Sequence, residues 1–339
     1  MRRWLTRLLW LGWAGLVLLL IAAHFIGQRS LWTTLLVYVP VAWWCAALLL
    51  HAVLAVRVDW RLSLISVFTL LVVSGPLWEF RTHQPPMPVE AMNCLRVLTC
   101  NRGQHHGHTL EAFIAEQQPD VIALQESNER GSFLPAAPEY AAYPHRSRIS
   151  EFQILSKLPI ANARMCVLQR QRANGTSQSW FKLARFELQT SGGLVVLYNA
   201  HMLSPRFELR TYLQARITDE AERKRTEEFK QEQEALLMAL MDQVESESLP
   251  TILCGDLNVP SLGPLYRRLT RTFRDSQSYG GAGYGFTFPG DVKLPLTGGQ
   301  WLRLDYVLVN RDWDILRCDV EQQMGAQHSA VTATLHLRP

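Results

Sequence analysis

The sequence predicts an α/β domain set behind three membrane-crossing helices, and three observations carry that reading. The first eighty residues are almost entirely apolar, in tracts long enough to cross a bilayer. From residue 94 onward, short apolar runs of strand character alternate with helical stretches, the pattern of an α/β sheet. Several of those runs deliver Asn, Glu, Asp or His to one end, which is where open sheets keep their chemistry.

Residues 8–26, 31–56 and 62–78 are read as transmembrane helices, at 1.5 Å of rise per residue against about 30 Å of hydrocarbon, within an anchor spanning 1–80. Arg2, Arg3 and Arg7 resemble the start of a cleaved signal peptide. Two further apolar tracts directly behind them, and no small-x-small cleavage site, argue for retention. These arginines precede the first helix and Arg57 and Arg61 separate the second and third, whereas the other two connections hold only Arg29 and Arg81. The amino terminus is therefore expected in the cytoplasm. Three crossings then place the large domain outside the cytoplasm, periplasmic in a Gram-negative cell, as part of a multi-pass inner-membrane protein. No charged residue inside a span marks a transport pathway, so the helices are read as an anchor in the lipid bilayer.

Residues 81–92, with Pro85, Pro86 and Pro88, form a stiff linker, and 93–339 the catalytic domain. The strand-like run 95–100 ends in Asn101, a helix covers 109–118, and the run 121–124 ends in Gln125-Glu126. Residues 194–198 lead into Asn199-Ala200-His201, and 251–254 into Gly255-Asp256-Leu257-Asn258. Between them, 207–246 reads as a long charged helix whose apolar stripe at 235–241 packs on the sheet. Arg303-Leu304-Asp305-Tyr306 opens the apolar run to Val309, and His328 precedes the alternating tail 331–337. The Gly-rich stretch 280–289 lacks the helix and Lys-Ser/Thr of a nucleotide loop. His105, His106 and His108 have no Cys or carboxylate beside them to complete a zinc set and read as a polar loop at the cleft mouth.

In this order, and with Ile154-Leu155-Ser156-Lys157-Leu158-Pro159-Ile160, these segments resemble the endonuclease/exonuclease/phosphatase family over residues 94–337. The resemblance implies a two-layered α/β sandwich, two packed mixed β-sheets flanked by helices, and metal-dependent hydrolysis of phosphate esters. It implies that Glu126 and Asn101 hold the metal, and that Asp305 holds His328, the candidate proton carrier. Asp256 and Asn258 would orient the attacking water and a phosphate oxygen. Asn199 and His201 would contact the phosphate, His201 also serving as the acid for the leaving group. Whether Asp256 or His328 takes the proton stays open. Hard oxygen ligands with few carboxylates suit Mg²⁺, with Mn²⁺ as the alternative. The family usually places Asp before the last His; this chain has Gln327, one negative charge fewer for a cation, which predicts weaker metal binding or one metal where relatives use two.

Of 34 basic and 30 acidic residues, seven and two fall before residue 87, leaving 27 and 28 in the exported part, a balance of about −1. A general nucleic-acid binder carries a basic surplus. The activity expected is that of a phosphodiesterase or nuclease, with a lipid-headgroup or envelope phosphoesterase as the alternative that the membrane tether makes plausible without selecting it; no protein partner is implied. The rival reading is a catalytically silent, membrane-anchored binding protein, motivated by Gln327. The odd number of cysteines in the domain, five, prevents complete pairing, though Cys94 and Cys318 could join in an oxidising compartment.

Overall fold

The computed structural model describes residues 2–82, 94–103, 109–127, 138–171, 177–206, 209, 218–322 and 326–338. Most of the Pro-rich linker, His105, His106 and His108, and residues 207, 208 and 210–217 of the expected long helix lie outside these.

Three apolar helices, α1 (Arg2–Phe25), α2 (Val41–Ala55) and α3 (Trp60–Ser74), pack side by side in alternating direction. His51 joins them, with Nδ1 2.9 Å from Ser66 Oγ and Nε2 2.8 Å from the Leu9 carbonyl oxygen. Asp59 caps α3 by accepting from the Arg61 and Leu62 amides. The single helix expected over 31–56 is not formed. Residues 27–29 and 34–38 make short 3-10 turns and Pro40 occupies the N-cap of α2, so only 15 residues are α-helical. At about 22 Å that helix is shorter than the hydrocarbon layer. Two helices, Arg3–Phe25 and Trp60–Trp78, are long and apolar enough to cross a membrane. The helices expose Leu11, Leu18, Leu49, Leu50, Val53, Leu64, Phe68 and Leu71.

Behind this layer stand two packed mixed sheets, as expected. The first has the order β11 (Trp313–Val320), β12 (Val331–Leu337), β1 (Cys94–Asn101), β2 (Val121–Gln125), β4 (Phe152–Ser156), β3 (His145–Ile149). The second runs β5 (Ile160–Gln171), β6 (Ser177–Thr190), β7 (Gly193–His201), β8 (Thr251–Asp256), β10 (Asp305–Val309), β9 (Arg274–Asp275). β1 with β2 and β7 with β8 pair in parallel; the other pairs are antiparallel.

Successive side chains point to opposite faces of a strand, and the inner faces meet in one core: Leu95 and Val97, Val121 and Ala123, Val195 and Leu197, Ile252 and Cys254, Val307 and Val309. Helix α4 (Glu111–Gln117) covers the outside of the first sheet with Phe113 and Ile114. Helix α5 (Glu220–Glu245) covers the second through Leu236, Leu237, Leu240 and Val244, each worth roughly 1.5–3 kcal/mol on full burial. It starts at Glu220, where the Asp219 side chain accepts from the Ala221 and Glu222 amides and caps it. Helices α6 (Pro264–Thr272) and α7 (Ser276–Gly280) follow β8 and β9. All six cysteines are unpaired, so no Cys94 to Cys318 bridge exists.

Residues 25–43 and 74–81 hold the helical layer on the sandwich. The Trp301 indole donates to the Tyr38 carbonyl at 3.2 Å and the Tyr284 hydroxyl to the Ser74 carbonyl at 2.6 Å. Lys230 of α5 donates to the Ser30 carbonyl and to the Thr34 hydroxyl.

Candidate active site

At one end of the sandwich the inner-face residues turn from apolar to polar, strand by strand. A buried floor comes first: Gln125 Nε2 donates to Thr99 Oγ1 at 3.0 Å and to Asn199 Oδ1 at 2.6 Å, and Asn199 Nδ2 donates to the Leu124 carbonyl at 3.0 Å. One step further out on the same strands lie Asn101, His201 and Asp256, joined by Glu126, Asp305 and His328. Asn199 thus shares a face with His201 but sits one layer deeper, fully buried, with both amide atoms committed to the scaffold. The phosphate contact expected of it is not carried forward.

Asp256 is the centre of the cluster. Its Oδ2 accepts from Asn101 Nδ2 at 2.9 Å and lies 3.7 Å from His328 Nε2 and 3.8 Å from His201 Nε2. Each imidazole is gripped from behind: His328 Nδ1 donates to Asp305 Oδ2 at 2.9 Å, and His201 Nδ1 to Glu151 Oε2 at 2.8 Å. Glu151 was invisible in the sequence pattern. It stands in the tight β3–β4 turn with no apolar run behind it, and only the packing of the sheets brings it, with Lys182 at 3.0 Å, behind His201. Gly255 is required because β7 and β8 approach closely. Its φ is 128°, and a Cβ there would collide with the Ala200 backbone carbonyl.

The electrostatics follow from these contacts. Burial disfavours a charged ring at His328, but the Asp305 and Asp256 carboxylates outweigh it and raise its pKa to about 9. Burial pushes Asp305 upward as well, and the charge and hydrogen bond of His328 oppose this. His201 is raised likewise, against burial, by Glu151 and Asp256. Glu151 is held down at about 2: burial works upward, and the hydrogen bond and charge of His201, with Lys182, overcome it.

Glu126 and Asp256 turn oxygens toward one point. Asn101 Nδ2 bridges them, 3.3 Å from Glu126 Oε1 and 2.9 Å from Asp256 Oδ2, while Asn101 Oδ1 accepts the Gly103 amide. His201 Nε2 lies 3.6 Å from Glu126 Oε1. Asp256, Asp305 and His328 also bring one ligand atom each within 4.8 Å of one another, and Asp305 Oδ1 is buried with no hydrogen-bond partner. Converging hard oxygens, one of them orphaned, fit an oxygen-seeking divalent cation. Asn258 closes the rim. Its backbone, at φ 51°, donates to Asp256 Oδ1 at 3.0 Å and its side chain to the Met202 carbonyl at 3.1 Å. Gln327 does not face a carboxylate; its Oε1 accepts from Arg206 Nη2 at 2.9 Å, close to Gly103.

The family model described as Endonuclease/Exonuclease/phosphatase family matches residues 100–323. Among solved structures, the chain is similar to an endonuclease/exonuclease/phosphatase from Bacteroides vulgatus, with TM-score 0.52 and 12% identity over 72% of this chain and 99% of that one. It is also similar to a family protein from Leptotrichia buccalis C-1013-b (TM-score 0.49, 17% identity, 72% and 100% covered). Truncated TDP2 of Caenorhabditis elegans aligns too (0.48, 20%, 72% and 97%). At these identities the likeness bears on the fold alone, and the Bacteroides vulgatus structure carries it. Curated protein sequences include no match.

Proposed function

Since this chain belongs to the endonuclease/exonuclease/phosphatase family and is a hydrolase of phosphate ester bonds, we propose that it is a divalent-metal-dependent phosphodiesterase, working outside the cytoplasm from a membrane anchor. The observation that carries the reaction is the pair of carboxylate-held imidazoles on either side of Asp256.

Glu126, with Asp256 and Asn101 beside it, would hold the cation, and Mg²⁺ or Mn²⁺ there would supply charge neutralisation of the phosphoryl oxygens. The chain's own residues supply the rest. The carboxylates behind and between the rings favour their protonated form, so both serve as donors, and Asp256, with Oδ2 3.8 Å from His201 Nε2 and 3.7 Å from His328 Nε2, takes the proton of the attacking water. His328, fixed by Asp305, donates through Nε2 to a phosphoryl oxygen. His201, fixed by Glu151, gives its Nε2 proton to the leaving oxygen. Asn258 orients the phosphate from the rim.

The extracytoplasmic reading is supported by the charge on the helical layer. Trp10 Nε1 donates to Asp59 at 3.2 Å, which sets the start of α1 beside the α2–α3 turn. Arg7, Arg57 and Arg61 therefore gather at the end remote from the sandwich, the cytoplasmic end under the positive-inside rule. Protease protection in spheroplasts tests the placement.

For the reaction, full-length protein in detergent is assayed on bis-p-nitrophenyl phosphate with Mg²⁺, Mn²⁺ or EDTA. Turnover should need the metal and fall by about 10²–10⁴ in His328→Ala and Asp256→Asn. Activity indifferent to EDTA or to both substitutions overturns the reading.

A further inference from the structure

The end of the sandwich that carries the site is also the end on which the helical layer rests. Leu262 lies four residues after Asn258, and Leu304 directly precedes Asp305. Both belong to one apolar cluster with Leu20, Val37, Trp44, Val73 and Trp78 of the layer, and Phe288 packs against the same cluster. The Phe288 ring stands 4.8 Å from that of His328. One aromatic residue therefore separates the proton-carrying ring from the helices.

A loop from Gly290 to Gln300 spans the same boundary. The Gly290 amide donates to the Gln327 carbonyl at 3.0 Å, next to His328, and at its far side the loop is held by α2, where Trp43 Nε1 donates to the Pro295 carbonyl at 2.7 Å. Its tip presents Val292, 43% exposed, and Leu296, 70% exposed. Leu296 has φ 65°, a left-handed backbone that a branched apolar residue adopts at a cost. Trp32, 71% exposed, and Trp43, 40% exposed, lie on this same end of the helical layer, where indoles mark a membrane–water interface. The tip is thus next to Trp43 of α2, a helix that also exposes Leu49, Leu50 and Val53.

We propose that Val292 and Leu296 enter the interface of the bilayer that the helices occupy, and that the substrate is a phospholipid of that bilayer, whose headgroup phosphodiester reaches the site from the membrane surface. The proposal rests on the phosphodiesterase reading and names its substrate class. Water oxygen bonds to phosphorus and gives its proton to Asp256; the bond from phosphorus to one ester oxygen breaks, and that oxygen takes a proton from His201. The products are one alcohol and one phosphate monoester, one of the two keeping the acyl chains. An apolar tip beside the site and an exported part with no basic surplus suit a lipid surface better than a polyanion.

The test uses full-length protein reconstituted into vesicles of phosphatidylethanolamine and phosphatidylglycerol, with bis-p-nitrophenyl phosphate and DNA as soluble substrates. Wild type should release lipid products, and Val292→Asp with Leu296→Asp should lose at least tenfold of that rate while bis-p-nitrophenyl phosphate turnover stays within twofold. Leu296→Gly suits the left-handed backbone and covers the case in which the aspartates disturb the loop; it should lower lipid turnover severalfold on its own. Turnover of the soluble diester with intact lipid, preference for DNA, or equal loss on lipid and soluble substrates in the variants overturns the lipid proposal and leaves the phosphodiesterase reading standing. No turnover of any substrate overturns both.

Discussion

Glu79 Oε2 lies 2.7 Å from Arg303 Nη2, and this contact ties the end of the helical layer to the strand that carries Asp305. Arg303 is fully buried and also pairs with Asp275, while the Tyr266 hydroxyl lies 2.6 Å from Asp275 Oδ2 and 2.8 Å from Glu79 Oε2, its one proton shared between the two carboxylates. Asp305 is two residues along the chain from that guanidinium. The helices are therefore packed into the enzyme.

A protein starting at residue 88 exposes Leu262, Leu302 and Leu304, which the helices cover, and leaves Arg303 without Glu79. It should aggregate or melt well below the full-length protein in detergent. In the full-length protein Glu79→Gln should cost about 1–2 kcal/mol, because a partly exposed partner of a buried charge is lost. Melting curves with equal midpoints for truncated and full-length protein would speak against the coupling.

Glu151→Gln should lower kcat about 10–100-fold, as His201 loses the group that fixes its ring. Stability tells the same story with opposite signs on two limbs. Glu151, at about 2 in the folded state against 4.5 when free, stabilises fully above about pH 4.5 and loses that contribution as pH falls toward 2. Allowing for solvent at the pair, the loss is about 1–2 kcal/mol. His201 is raised, so its contribution is complete below its ordinary 6.5 and is lost as pH rises through the folded value. Urea midpoints from pH 3 to 9 should show both limbs in wild type and flatter ones in Glu151→Gln; parallel curves would show that the pair is not formed.

With metal chelated, the His328 imidazole should titrate near 9, and in Asp305→Asn near or below 6.5, since burial then acts without its main opponent. Imidazole proton or nitrogen resonances report this directly. Asp305→Asn should also lower turnover by about 10²–10⁴. A ring that titrates the same in both proteins would remove Asp305 from its role.

Gln327→Asp places a carboxylate beside His328 where a neutral amide now holds Arg206. The metal concentration for half-maximal activity should fall severalfold, and cation binding measured by calorimetry should tighten in parallel. An unchanged metal requirement would show that the missing charge at this position is not what sets affinity.

Gly255→Ala should be among the most damaging single changes, about 2–4 kcal/mol, since it adds a backbone collision with Ala200 to a φ of 128°. Circular dichroism melts of the variant check it.

The site was legible wherever chemistry sits on a strand end. Asn101, Glu126, His201, Asp256, Asp305 and His328 all follow or open an apolar run, and alternation along a strand is a local property that any short window of sequence carries. Alternation reports the face and not the depth, which is why Asn199, on the same face as His201, proved to belong to the buried floor. Glu151 gives no local signal because its role is set by a contact 50 residues away. Pro40 was visible in the second apolar tract, yet apolar content alone read through it.

Local patterning by itself determined that the chain opens with apolar helices, continues as alternating strands and helices, and equips the strand ends in a set order with oxygen and imidazole groups. Periodicity, tract length and residue chemistry need no knowledge of distant partners. Only the tertiary structure decided which carboxylate grips which imidazole, that Asp256 stands between the two rings, and that the helical layer rests on the site end. Those relationships depend on how two sheets and a helical layer pack across more than two hundred residues, where a shift of one residue in register would move a group from the cleft to the floor.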